Sequence, residues 1–166
     1  MMPRRSFPVR AVVPSRWDFS DGITVFVADL HTSMTNVLLA VDRDERRAIA
    51  QAEQVVALWE PADVQVTVLH VFTENEGGAA VNQLASARRA YETLEGAGFE
   101  VRYDERSGDP AATVVRYTET EDVDLVCLAG RDRTPAGKAV FGSVSQSIML
   151  NAEVPVLFCS VGDGER

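Results

Sequence analysis

Histidine, cysteine and lysine are scarce in this chain: two, two and one among 166 residues. Cys127 and Cys159 have no histidine or second cysteine at metal-ligand spacing, so a zinc site is not expected. A Ser–His–acid triad would have to recruit His70, since His31 lies in an irregular N-terminal stretch, and no G-x-S-x-G elbow is present. The glycine patterns G-x-x-x-x-G-K-[ST] and G-x-G-x-x-G are absent too, which disfavours a P-loop NTPase and an ordinary dinucleotide fold. A receiver domain would need an acidic cluster after the first strand together with an acceptor such as Asp104, and only the latter is found. No apolar run approaches the roughly 18 residues of a membrane span. Basic residues are outnumbered, 16 against 25 acidic, giving a formal charge of −9 and arguing against a nucleic-acid partner.

What is present is aliphatic: 46% of residues are hydrophobic and 7% aromatic, enough for one α/β domain with a full core. Fifteen of the 16 cations are arginine, with Lys138 the exception. An acid-rich, lysine-poor chain fits a salt-adapted source or the codon usage of a GC-rich genome, and composition leaves both readings open. Both cysteines sit in apolar runs, as small buried hydrophobes in a reducing cytoplasm would. Residues 1–33 lack the later regularity. Arg4-Arg5 is not followed by an apolar export segment, and Met34 offers a second start. A poorly ordered extension is expected there, with a short strand in DGITVFVADL as the alternative.

From Asn36 onward strands and helices alternate. NVLLAVD (36–42), VQVTVLHVF (64–72), FEVRYDERSG (99–108), VDLVCLAG (123–130) and PVLFCSV (155–161) read as strands. Between them, a helix stopped by Pro61 carries Ile49, Ala52, Val56 and Trp59 at helical spacing. A second carries Val81, Leu84, Ala87, Tyr91 and Leu94 and ends at Gly96/Gly98. A third starts at Asp109-Pro110, and a fourth begins near Ser143. Such alternation predicts a five-stranded parallel sheet with helices on both faces, and a ligand site beyond the carboxyl ends of the strands.

The residues after each strand are therefore the candidates. Asp42 fits an acceptor for an adenine amino group or a ribose hydroxyl, and equally a charge favoured at a helix N-terminus. His70 and Val71 lie where a base pocket would be, although a lone strand histidine is more often a structural residue. The segment Ala129–Val144 joins a strand to a helix start at Gly142-Ser143-Val144, where free N–H groups can meet a phosphate. Arg131, Arg133 and Lys138 add positive charge; the competing reading is an ordinary N-cap at Ser143 and a solvated basic loop.

Residues 35–161 resemble the universal stress protein family. The features carrying the resemblance are the first strand ending in Asp (VLLAVD), L-H-V in strand 2, S-G-D-P-A before helix 3, and F-G-S-V-S-Q-S-I-M-L-N-A-E-V-P-V-L at the end. The resemblance implies the adenine nucleotide alpha-hydrolase-like fold, strand order 3-2-1-4-5, over residues 34–162, leaving a tail at 163–166. It implies that Asp42 contacts adenosine, that Val71 lines the base pocket, and that Gly130, Gly142, Ser143 and Val144 surround the phosphates. Nucleotide-binding members carry G-x2-G-x9-G-[S/T]; here Asp132 stands in the second glycine's place within G-R-D-R-T-P-A-G-K, a string similar to a variant in salt-adapted archaeal members.

The expected function is thus a cytoplasmic ATP-binding regulatory or stress-response protein without efficient catalysis. Magnesium accompanies the nucleotide, and strand 155–161 pairs two copies into a homodimer. The alternative is a nucleotide-free dimeric interaction module in which Asp132 marks lost binding. A slow ATPase, or self-phosphorylation on Ser143 or Ser145, lacks a convincing base.

Overall fold

A computed structural model describes residues 34–74, 78–130 and 141–161. The expected N-terminal extension (1–33), the strand alternative within it and the 163–166 tail lie outside the described residues. Five strands, β1 (Thr35–Ala40), β2 (Val64–Phe72), β3 (Glu100–Ser107), β4 (Leu125–Ala129) and β5 (Val156–Cys159), alternate with four helices. The helices are α1 (Glu45–Leu58), α2 (Ala85–Gly96), α3 (Pro110–Thr120) and α4 (Ser143–Asn151). All strand pairs are parallel, in the order β3-β2-β1-β4-β5. This is the sheet expected from the sequence.

Alternation along β1 explains the two cores. Val37 and Leu39 face one side of the sheet with Ala48, Ala52 and Val55 of α1 and Ala87, Ala90 and Leu94 of α2. Leu38 faces the other with Val114 and Tyr117 of α3 and Ile148 of α4. A strand segment buried on both faces has to be apolar, which is why Val37, Leu38 and Leu39 run without polar alternation. The two sheet edges differ. β3 carries Glu100, Arg102, Asp104 and Arg106, charges that discourage further strand pairing, whereas β5 reads Val-Leu-Phe-Cys.

Two helices depart from the expected pattern. The buried face of α1 is Ala48, Gln51, Ala52 and Val55; Val56 is 37% exposed, and Trp59 is an extended C-cap outside the helix. The stripe through Ile49, Val56 and Trp59 is therefore rotated by one position. Small alanines let α1 approach the sheet, and Gln51 is drawn inward because its Nε2 donates to Ala40 O (3.0 Å) and Cys127 O (2.8 Å). The second helix starts later than expected. Val81–Gln83 form a separate 3-10 turn and Leu84 is extended, because the Val81 N–H donates to Glu105 Oε2 on β3 (2.8 Å). Gly98, at φ +88°, takes the left-handed position that turns the chain from α2 into β3. Asp109 caps α3 through Ala112 N–H, with Pro110 as the first helical residue.

Gln51 marks where the topology reverses. The chain steps outward from β1 to β2 and β3, then returns to place β4 on the other side of β1. The β1–β4 register runs through Leu39↔Cys127. Just beyond it the carbonyls of Ala40 and Cys127 are bridged by the Gln51 amide, which satisfies both as the strands part.

Candidate functional site

A cleft of about 320 Å³ opens at this parting. Its floor is Ala40 at the end of β1 with Val41 and Asp42 after it, Leu69–Val71 of β2, and Leu128 and Ala129 of β4. Its rim is Arg43 and Arg47 on one side and Gly142, Ser143, Val144 and Ser145 on the other, with Pro110 and Val114 of α3 below. Asp42, Val71, Gly142, Ser143 and Val144, nominated from the sequence, are thus brought together across more than one hundred residues of chain.

The α4 end is built for an anion. Gly142, not Ser143, is the N-cap, with extended backbone (φ −77°, ψ 164°) and no side-chain cap. The first intrahelical hydrogen bond runs from Gln146 N–H to Gly142 O. The N–H groups of Ser143, Val144 and Ser145 therefore have no acceptor within the helix, and the helix dipole adds partial positive charge beside the cleft.

Gly130 is placed differently. Its N–H donates to Cys159 O (2.9 Å), and the cleft wall at this point is made by Ala129. Arg131, Arg133, Lys138 and Asp132 lie outside the described residues.

The opposite end is carboxylate and guanidinium. Asp42 Oδ1 accepts the Asp44 N–H (2.9 Å), and Oδ2 lies 2.8 Å from Arg47 Nη1. Arg47 Nη2 reaches Asp44 Oδ2 at 3.3 Å. Asp44 is also the N-cap of α1, accepting from Arg47 N–H. Partial burial pushes the Asp44 carboxyl up, but that hydrogen bond and the Arg47 guanidinium outweigh it and hold it below the usual carboxylate range. The Asp42 carbonyl is tied down in turn by the hydroxyl of buried Ser86 on α2. Asp42 thus serves the turn and lines the cleft at once.

His70 lines the cleft and is also held in place within its strand. It is buried, its Nδ1 is 2.8 Å from Val41 O, and its ring meets Phe72 edge-on. The carbonyl can only accept, so Nδ1 carries the proton. Val71 beside it leaves an apolar surface on the cleft floor.

Sequence reasoning missed Arg47 and Pro110 as parts of the site, and Gln51 as the bridge between β1 and β4. Arg47 had a readable signal: three residues after Asp44, it faces that residue on the same helix turn. It is also a cation in a first turn, where the dipole disfavours one unless carboxylates compensate.

A match to the universal stress protein family spans residues 34–160. The chain belongs to the universal stress protein family. Among curated relatives, it is 26% identical over 96 residues to the universal stress protein Slr1230 of Synechocystis sp.. That match covers 58% of this chain and 32% of the relative. The stress response protein NhaX of Bacillus subtilis is 32% identical over 50 residues, 30% of each chain. The chain therefore spans about a third of the length of these relatives.

Solved family structures share the fold. A universal stress protein from Archaeoglobus fulgidus in complex with dAMP superposes with a TM-score of 0.59 at 19% identity, covering 77% of this chain and 98% of that one. One from Arabidopsis thaliana with AMP bound gives 0.61 at 16% identity, covering 78% and 93%. The adenine nucleotide alpha-hydrolase-like fold is thus common to all three. Among the described residues, no helix is long and apolar enough to cross a membrane.

Proposed function

We propose that this universal stress protein family member binds an adenine nucleotide in the switch-point cleft and acts as a regulatory, stress-response protein rather than through turnover. The observation that carries the reading is the pairing of two unlike ends across one cleft. Three amides without intrahelical acceptors at the start of α4 suit phosphate, and the carboxylate of Asp42 suits an amino or hydroxyl group. The apolar Val71 floor between them fits a base. Relatives of the same fold with AMP and dAMP bound support an adenine nucleotide.

ATP with magnesium is the expected form. Arg131, Arg133 and Lys138 would then supply charge for the outer phosphates, and magnesium would screen Asp132. No turnover is expected, because His70 Nδ1 is paired with a backbone carbonyl rather than with the carboxylate of a Ser–His–acid triad, and the sequence has no G-x-S-x-G elbow. Among the described residues β5 is paired on one side only, and its apolar edge fits a two-fold partner copy, since such an edge left unpaired is an aggregation hazard. A cytoplasmic location accords with two free cysteines.

A second reading, the nucleotide-free dimeric interaction module, draws on one specific observation. Asp42 already has both oxygens engaged, by Asp44 N–H and Arg47. The test is to purify the protein without added nucleotide, denature it and identify released small molecules by mass spectrometry, then titrate with MgATP and AMP. A near-stoichiometric adenine nucleotide, or saturable binding, supports the leading reading. No released ligand and no binding at millimolar concentration overturns it. Affinity created by Asp132→Gly alone would then establish the second.

A further inference from the structure

Two thiols that the sequence separates by 32 residues meet inside the sheet. Cys127 of β4 and Cys159 of β5 lie with sulfurs 3.4 Å apart, both buried and neither in a disulfide. In the parallel register Cys127 pairs with Leu157 and Ala129 with Cys159. The cysteines are therefore diagonal neighbours on one face of the sheet, the face covered by α1 and α2. Thiols serving merely as small hydrophobes need not touch; here each is the other's polar contact.

We propose that Cys127 and Cys159 form an oxidative modification site, in which a hydroperoxide converts the two thiols to an intrachain disulfide across β4 and β5. The chemistry balances with hydrogen peroxide as oxidant. One thiol is oxidised by the peroxide to a sulfenic acid and one water leaves; the second thiol attacks that sulfur, forming the S–S bond and releasing another water. Both hydrogens of the thiol pair leave in water, and the peroxide O–O bond is the electron acceptor.

The pair is not symmetric. The two thiols share one contact in which either sulfur can be the donor; that contact, together with burial, pushes the Cys127 thiol well up. Cys159 is lowered by the same contact, against the effect of burial. The position of Cys159 on the terminal strand, where it is slightly less enclosed than Cys127, makes it the sulfur that meets peroxide, with Cys127 as the resolving thiol. β5 is four residues long and, among the described residues, is paired on one side only, with β4. Its opening admits the oxidant at the smallest structural cost of any strand bearing a cysteine.

Closing the bond has a consequence for the cleft. The sulfurs must approach from 3.4 Å to about 2.05 Å, which draws β4 and β5 together at this point. The carbonyl of Cys159 holds the Gly130 N–H, directly after the cleft-wall residue Ala129. Any displacement of Cys159 on closing the bond thus acts on the wall through this hydrogen bond. The disulfide itself rests on none of the nucleotide reading.

The test uses the full chain, reduced and freed of reductant, treated with hydrogen peroxide under native conditions. Samples are then alkylated in denaturant and analysed by intact mass and non-reducing peptide mapping. The expected result is a monomeric chain lighter by two hydrogens, with no alkylation and a Cys127–Cys159 peptide; a thiol reductant restores alkylation of both cysteines. Cys127→Ala should stop oxidation at sulfenic acid on Cys159, and Cys159→Ser should slow oxidation at least about tenfold. The wild-type measurement stands if either variant folds poorly. Sulfinic or sulfonic acid on separate cysteines, a link between two chains, or no reaction before unfolding would each overturn the proposal.

Discussion

Arg47 lies in the first turn of α1 with its guanidinium 2.8 Å from the carboxylate of Asp42, across the turn that leaves β1. A cation at a helix N-terminus opposes the helix dipole, and its placement is explained by the carboxylates of Asp42 and Asp44. Arg47 therefore orients the Asp42 carboxylate at the cleft. If Asp42 contacts the nucleotide, Arg47→Met should weaken AMP binding about five- to tenfold in wild type, yet cause little further loss in an Asp42→Asn background. Calorimetric titration of all four proteins checks this. Additive losses would show that Arg47 acts independently of Asp42.

The phosphate end permits a backbone test. Ser143 is the first helical residue, where proline is well tolerated, and Gly142 before it already has the extended conformation that a following proline requires. Ser143→Pro should leave α4 and thermal stability nearly unchanged while removing one N–H from the cradle. Nucleotide affinity should fall about tenfold, the scale of one lost hydrogen bond to a charged group. Ser143→Ala, which keeps the N–H, separates the amide from the hydroxyl.

Gln51 should be among the most sensitive polar positions. Gln51→Leu retains bulk but leaves the Ala40 and Cys127 carbonyls without their donor in a buried setting. A loss of about 2–4 kcal/mol is expected in denaturant unfolding. A near-neutral result would mean that water or a strand shift satisfies both carbonyls.

Asp44 gives a pH prediction with a definite sign. Its carboxyl is lowered in the folded protein, so it stabilises above the unfolded value of about 3.9, and that contribution disappears as pH falls through the folded value. Asp44→Asn, which keeps a capping side chain, should flatten the stability profile below about pH 4. Asp44→Ala should also lose the cap, about 1 kcal/mol at neutral pH. Chemical denaturation from pH 3 to 7 distinguishes the variants.

Tyr117 is the opposite case. Burial, then its hydrogen bond to Asp104 (2.7 Å) and that residue's charge, push the phenol well above its usual range. The folded state thus keeps this proton, and its stabilisation is present at neutral pH and lost as pH rises above the unfolded value near 10. Tyr117→Phe should cost about 1–2 kcal/mol in thermal or denaturant unfolding and remove that alkaline dependence. Asp104, considered from the sequence as an acceptor, is held between this phenol and Arg106.

The sequence by itself determined the succession of strands and helices, because each signal is local. Apolar runs such as Thr35–Ala40 and Val64–Phe72 can be read without knowing their partners. Asp109-Pro110 announces a helix start, and Gly98 announces the turn that follows one. The cleft could be anticipated in part, since parallel α/β sheets place ligands beyond strand ends and Asp42, Val71 and Gly142–Val144 stand there. Tertiary structure decided what depends on residues distant along the chain. The face of α1 was set by two backbone carbonyls seeking Gln51, and the start of α2 by a carboxylate on β3 seeking the Val81 amide. The contact between Cys127 and Cys159 was decided in the same way, because strand register is a property of the assembled sheet, and local periodicity carries no record of which sulfur lies beside which.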